Sequence, residues 1–169
     1  MVHIPSALIT GGVGFLGSQI TRELRKKYPE CTVTVLDLIP PSSSRAIEGV
    51  CYRRGDVTNA KEVLDVVQDI RPALIIHTAG KVPKVHLRYG QLERPQMFQI
   101  NVEGTRNVFD AAKAAGVQAF IYTSSITVAL DAIDLEQINV TEDYPRIGKF
   151  LDYGESKVWS PIKIEPTAF

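Results

Sequence analysis

Residues 7–17 read Ala7-Leu8-Ile9-Thr10-Gly11-Gly12-Val13-Gly14-Phe15-Leu16-Gly17. The apolar run Ala7 to Ile9 has the character of a short buried strand. It meets Gly11, Gly14 and Gly17, and then Leu16, Ile20 and Leu24 recur at four-residue spacing, which keeps them on one face of a helix over Phe15 to Tyr28. Glycines between a strand and a helix allow a tight turn and let phosphate approach the backbone. The amides and dipole of the following helix then face the anion.

The same alternation continues outward from this turn. Thr32 to Leu36 (TVTVL) is rich in β-branched residues and predicts a second strand, followed by a Pro/Ser loop over Pro40 to Ser44. Val50 to Arg54 is a shorter third strand. Asn59 and Glu62 form a capping-box-like pair ahead of the stripe Ala60, Val63, Leu64, Val67 and Ile70, and Pro72 stops that helix. Leu74 to His77 predicts a fourth strand, Pro95 to Ala115 one long helix ended by Gly116, and Gln118 to Thr123 a fifth strand. Strands alternating with helices imply an α/β fold, a doubly wound parallel sheet with helices on both faces.

Composition narrows the function. The 169 residues suit one domain, 44% hydrophobic and 22% charged, and 19 basic residues balance 19 acidic ones, so no nucleic-acid surface is expected. Cys31 and Cys51 have no CxxC or Cys/His spacing, and His3, His77 and His86 have no metal-ligand spacing, so no metal is expected. His86, with Lys81, Lys84 and Arg88 nearby, reads as part of a solvated loop. No secretory pattern opens the chain and no apolar run reaches the ~18 residues of a membrane span, so an intracellular chain is expected.

Candidate site residues lie at the ends of the predicted strands. Asp37 closes the second strand twenty residues after Gly17, where a carboxylate accepts hydrogen bonds from the hydroxyls of an adenosine ribose and repels a 2′-phosphate. NAD is therefore expected in preference to NADP, with Arg45 as the residue that could reverse the choice. Tyr122-Thr123-Ser124-Ser125 ends the fifth strand, and Tyr153-Gly154-Glu155-Ser156-Lys157 places Tyr153 and Lys157 on one helical face. Moving a hydroxyl proton during hydride transfer suits a phenol only if a neighbour such as Lys157 stabilises its anion.

These features together resemble the short-chain dehydrogenase/reductase superfamily and its Rossmann fold. Gly55, Asp56 and Val57 look like its adenine-contacting segment. His77, Thr78, Ala79 and Gly80 look like its cofactor-lining turn, and Asn101-Val102-Glu103-Gly104-Thr105 matches the N-V-x-G-T of its extended branch. The resemblance implies cofactor contacts from Gly11, Gly14, Phe15, Leu16, Gly17, Asp37, Asp56, Val57, Thr78, Ala79, Gly80 and Asn101. It implies that Tyr153 is the general acid/base, that Lys157 also holds the nicotinamide ribose, and that a serine binds the substrate oxygen. Ser125 aligns best with that serine and Ser124 is its rival.

Val128-Ala129-Leu130 departs from the Val-Tyr-Gly of nucleotide-sugar epimerases. YTSSITVA and the stretch Gln91 to Thr105 (QLERPQMFQINVEGT) instead look like the 3β-hydroxysteroid dehydrogenase/isomerase family, including sterol-4α-carboxylate 3-dehydrogenases. That resemblance implies NAD-dependent oxidation of a 3β-hydroxyl on a steroid or sterol to the ketone. It points to the cytoplasm or the cytoplasmic face of the endoplasmic reticulum, with a membrane surface and a second copy of the chain as further partners. A dihydroflavonol-type carbonyl reductase is the nearest enzymatic alternative. Val158-Trp159-Ser160-Pro161 and Ile162 to Phe169 do not resemble the family's continuation, so residues 1–169 are expected to form a dinucleotide-binding domain without the substrate-binding region. The competing expectation is a remnant that binds NAD without turnover.

Overall fold

The computed structural model describes residues 3–84, 92–129 and 151–158. His86, Arg88, Gln91, Leu130 and the stretch from Trp159 to Phe169 lie outside them. The chain divides into two compact units, one built from residues 1–80 and 107–123 and the other from 81–106 and 124–169.

The first unit is a five-stranded parallel sheet. Its strands are β1 (Ser6–Thr10), β2 (Thr32–Asp37), β3 (Val50–Arg54), β4 (Leu74–His77) and β5 (Ala119–Tyr122), in the order β3-β2-β1-β4-β5. β1 lies at the centre, with Leu8 opposite Thr34 on one side and Ile75 on the other. Its continuous apolar run is buried on both faces, as parallel strands between helical layers require. Ala7, Ile9, Leu24, Cys31, Val33, Val35, Leu74 and Ile76 form one apolar cluster that joins β1, β2 and β4 to helix α1 (Phe15–Lys27).

Helix α2 (Ala60–Ile70) starts as its sequence requires. Asn59 Oδ1 accepts from the amides of Lys61 and Glu62, and Asn59 Nδ2 donates to Glu62 Oε1 at 2.9 Å. The strand order reverses at β1, whose neighbours β2 and β4 lie on opposite sides. Above the carboxyl ends of β1 and β4 is therefore the topological switch point where open α/β sheets bind ligands.

The second unit corrects one expectation. The helix read as continuous over Pro95 to Ala115 is α3 (Arg94–Phe98), a π-helical segment (Gln99–Gly104) and α4 (Thr105–Ala114), the last continuing into the first unit. The interruption centres on Asn101, fully buried, whose carboxamide leaves the helix surface to bond Lys81 and Ser156. The Thr105 hydroxyl takes the Asn101 carbonyl at 2.6 Å. A π-turn inside a helix accommodates the extra residue that such a side-chain excursion needs. A short 3-10 turn (Ile126–Ala129) and α5 (Asp152–Val158) complete the described part of this unit.

Candidate functional site

The glycine turn in the first unit is shaped by close approach. Gly11 has φ +71°, and a Cβ there would stand 2.7 Å from the Ala79 backbone, so only glycine lets the first turn pass the end of β4. A Cβ at Gly17 would meet the Gly11 carbonyl at 2.4 Å. The amides at the start of α1 point beyond the helix without intrahelical acceptors, Gly14 supplies no side-chain cap, and the first turn carries no acidic residue. Such a helix end accepts an anion. Phe15 and Leu16 are both exposed beside it.

Asp37 reaches this turn from the end of β2. Its Oδ2 accepts from the Val13 amide at 2.9 Å and its Oδ1 from Ile39 at 3.5 Å, which fixes the carboxylate and leaves lone pairs for a vicinal diol. A cleft of about 260 Å³ opens beside the turn, lined among others by Val13, Ser18, Arg22, Arg45 and Tyr52. Arg45 Nε donates to Ser42 Oγ at 3.4 Å.

On the other side of the switch point, Thr78 is tied to β1, its amide and its hydroxyl both donating to the Thr10 carbonyl. Ala79 and Gly80 follow it as the turn above β4. Fully buried His77 shares a 2.5 Å hydrogen bond through Nδ1 with the Thr10 hydroxyl, which reads as a structural clasp between β1 and β4. Asp56 uses Oδ1 on the amide and hydroxyl of Thr58, and the Val57 carbonyl accepts from Asn107 at 2.9 Å. Both therefore order the turn into α2.

The second unit assembles the candidate acid/base group. Tyr153 and Lys157 lie on α5 one turn apart, with the Lys157 ammonium 6.0 Å from the Tyr153 ring centroid. Ser125, just before the 3-10 turn, hydrogen-bonds the phenol and also accepts from the amide and hydroxyl of Thr127. Ser124 is exposed, so of the two serines it is Ser125 that the structure brings to Tyr153. Burial pushes the Tyr153 phenol up from 10, opposed by the Ser125 hydrogen bond, and burial lowers Lys157 to about 8. Among the described residues no group of acidic, histidine or cysteine side chains could hold a metal ion.

Behind this pair is polar scaffolding that sequence reasoning did not assign. Arg94 binds Glu155 in a fork, at 2.7 and 3.1 Å, and also hydrogen-bonds Asp152. Asn101 Nδ2 donates to the Ser156 hydroxyl at 2.9 Å and to the Lys81 carbonyl at 3.0 Å, while its Oδ1 accepts from the Lys81 amide at 2.7 Å. Ser156 in turn donates to the Tyr153 carbonyl at 2.8 Å. Lys81 and Glu93 pair at 2.9 Å. The acidic residues three apart on α5 were a visible signal, but their partner lies 58 residues earlier in the chain.

A parallel sheet with a glycine turn at its switch point, an aspartate closing the second strand and a Tyr/Lys/Ser group on a later helix and turn defines a short-chain dehydrogenase/reductase. Comparison with known proteins narrows this class. The chain belongs to the 3-beta hydroxysteroid dehydrogenase/isomerase family, whose sequence profile matches residues 8–160. It is 28% identical over 154 residues to the sterol-4-alpha-carboxylate 3-dehydrogenase (decarboxylating) of Saccharomyces cerevisiae, covering 87% of this chain and 42% of that protein. It is 35% identical over 153 residues to a 3-beta-hydroxysteroid dehydrogenase of Mycolicibacterium neoaurum, covering 89% of this chain and 40% of that protein. A short-chain dehydrogenase/reductase superfamily protein from Agrobacterium tumefaciens, solved with bound NAD, superposes with a TM-score of 0.74 at 30% identity, covering 91% of this chain and 42% of that one. The chain thus spans about two fifths of the length of the curated relatives it matches. Among the described residues no helix is long and apolar enough to cross a membrane.

Proposed function

We propose that the chain supplies the cofactor-binding and proton-transfer groups of an NAD-dependent dehydrogenase that oxidises the 3β-hydroxyl of a steroid or sterol. The observation that carries this reading is the Tyr153 phenol, hydrogen-bonded by Ser125, with the buried Lys157 ammonium 6.0 Å from its ring. That arrangement suits a general base: the cation favours the phenolate and Ser125 orients the phenol. With substrate bound, the single Ser125 hydroxyl proton would turn from the phenol to the substrate oxygen, which holds the carbinol while Tyr153 takes its proton.

The fit to a dinucleotide rests on the glycine cradle, the uncapped start of α1 and the Asp37 carboxylate. The pyrophosphate would lie on the Gly11 to Gly17 turn, and Asp37 would accept from the adenosine ribose. Bound NAD supplies the hydride acceptor. Thr78, Ala79 and Gly80 would line the cofactor, Asp56 and Val57 would bound the adenine, and Asn101 would act through the segment it holds. The steroid class comes from the relatives' names. A membrane surface at the endoplasmic reticulum and a second copy of the chain are the further partners this reading allows.

Titration calorimetry of the full chain with NAD, with Asp37→Ala as control, tests the cofactor step. A 3β-hydroxysterol added in the same cell, followed by NADH absorbance, tests the chemistry. Binding lost in Asp37→Ala together with NADH formation is the expected result. Binding without NADH formation overturns the dehydrogenase reading, and no binding by the folded chain overturns the cofactor site as well.

A further inference from the structure

Helix α5 has seven residues, too few to be stable by itself, so its orientation must come from what holds it. At about 100° per residue, Asp152, Glu155 and Ser156 share one side of the helix. Tyr153 lies about 100° round from Asp152, and Lys157 about 160° round from Glu155. The anchors from Arg94 and Asn101 both grip the first side. The Arg94 guanidinium forks onto Glu155 and bonds Asp152, while Asn101 holds Ser156. The guanidinium is itself fixed, 4.3 Å from the Phe98 ring centroid, on α3. The three side chains of this cluster are only partly exposed, 34% for Arg94, 19% for Asp152 and 27% for Glu155.

We infer that Arg94 is a positioning residue for the proposed acid/base pair: by clamping Asp152 and Glu155 it locks the rotation of α5 and so aims Tyr153 and Lys157. The inference rests on the proton-transfer reading above. An arginine fork fixes two parallel hydrogen bonds and hence an angle as well as a distance, which a lysine cannot do. Rotation matters because a misplacement of about 1 Å at a reacting group can cost on the order of 100-fold in rate. Arg94 touches none of the reacting groups, so its action is indirect.

The test compares two variants that break the same clamp with opposite changes of charge. Arg94→Ala leaves two unpaired carboxylates on α5, whereas Asp152→Asn/Glu155→Gln leaves an unpaired arginine on α3. Among the described residues, Ser125 hydrogen-bonds the Tyr153 phenol and the Lys157 ammonium stands 6.0 Å from its ring centroid, and neither variant alters them. Tyr153 ionisation is read from ultraviolet phenolate absorbance, wild type minus Tyr153→Phe, and amide hydrogen exchange over 152–158 is read by mass spectrometry. A clamp predicts that both variants move the phenol midpoint in the same direction, downward as the ring gains water. It also predicts that amide exchange there speeds up at least ~10-fold.

Shifts of opposite sign would show that charge alone acts and would overturn the proposal, as would unchanged exchange in both variants. Arg94→Lys keeps the charge without the fork and is expected to shift the midpoint the same way by less. It replaces Arg94→Ala in the comparison if the alanine variant does not fold. Neither readout needs turnover, so a chain that fails to bind NAD or oxidise a sterol defeats the functional proposal and leaves this test intact.

Discussion

Lys157 is a buried cation in the proposed acid/base group, and its burial costs stability. It is 6% exposed and burial lowers it to about 8 from 10.5, so below pH 8 the folded chain holds a charge that its surroundings disfavour. Between pH 8 and 10.5 the unfolded chain binds the proton that the folded one has released, and stability rises with pH across that window. Tyr153 acts in the opposite sense above pH 10, where the unfolded phenol ionises first and folding weakens. Lys157→Met keeps an unbranched side chain one atom shorter and removes the charge. It is expected to raise the unfolding free energy at pH 7 by about 1–3 kcal/mol and to flatten the rise between pH 8 and 10, both measurable by urea unfolding. If the proposed sterol oxidation occurs, the same variant should abolish it. Tyr153→Phe should cut kcat by roughly 100- to 10,000-fold while calorimetric NAD affinity changes little.

At the scale of elements, what was legible in the sequence depended on whether the cause was local. Strands β1, β2 and β4 were readable because each is a compact β-branched or apolar run, and α2 because Asn59, Glu62 and the apolar stripe agree. The π-helical segment was not readable, since the apolar spacing runs on through it. The cause is Asn101 bonding Lys81 and Ser156, positions 20 and 55 residues away. In the candidate site, Tyr153, Lys157 and Ser125 could be named from spacing and resemblance, whereas the clamp from Arg94 could not, because nothing near Arg94 in sequence announces its partners. Two local features of α2 give stability tests. Asn59→Ala removes the acceptor for two first-turn amides and should cost about 1 kcal/mol. Arg71 closes the helix with φ 47°, a left-handed conformation that favours glycine, so Arg71→Gly should stabilise by up to about 1 kcal/mol. Thermal unfolding of the two variants should therefore move the midpoint in opposite directions.

For the whole molecule, the proposed cofactor and the fold are linked through mass action. The glycine cradle exists only where Gly11 passes the end of β4 and Asp37 holds the Val13 amide, geometry that brings together three strands of the sheet and is lost on unfolding. A ligand that binds this geometry and not the unfolded chain stabilises the fold by RT ln(1 + [L]/Kd), about 2.7 kcal/mol at one hundred times Kd. Saturating NAD is therefore expected to raise the thermal midpoint of the full chain in a concentration-dependent way. Gly17→Ala, whose Cβ would meet the Gly11 carbonyl, should lower the midpoint and remove most of the NAD-induced rise. Asp37→Ala should remove the NAD-induced rise but shift the unliganded midpoint less, because it loses one short, part-buried hydrogen bond and introduces no clash. Ser125→Ala should leave the rise intact, since Ser125 belongs to the proton-transfer group and not to the pyrophosphate cradle. The four midpoints, each measured with and without NAD by scanning calorimetry, separate a bound cofactor from general salt or crowding effects, which would raise the unsubstituted chain and all three variants alike.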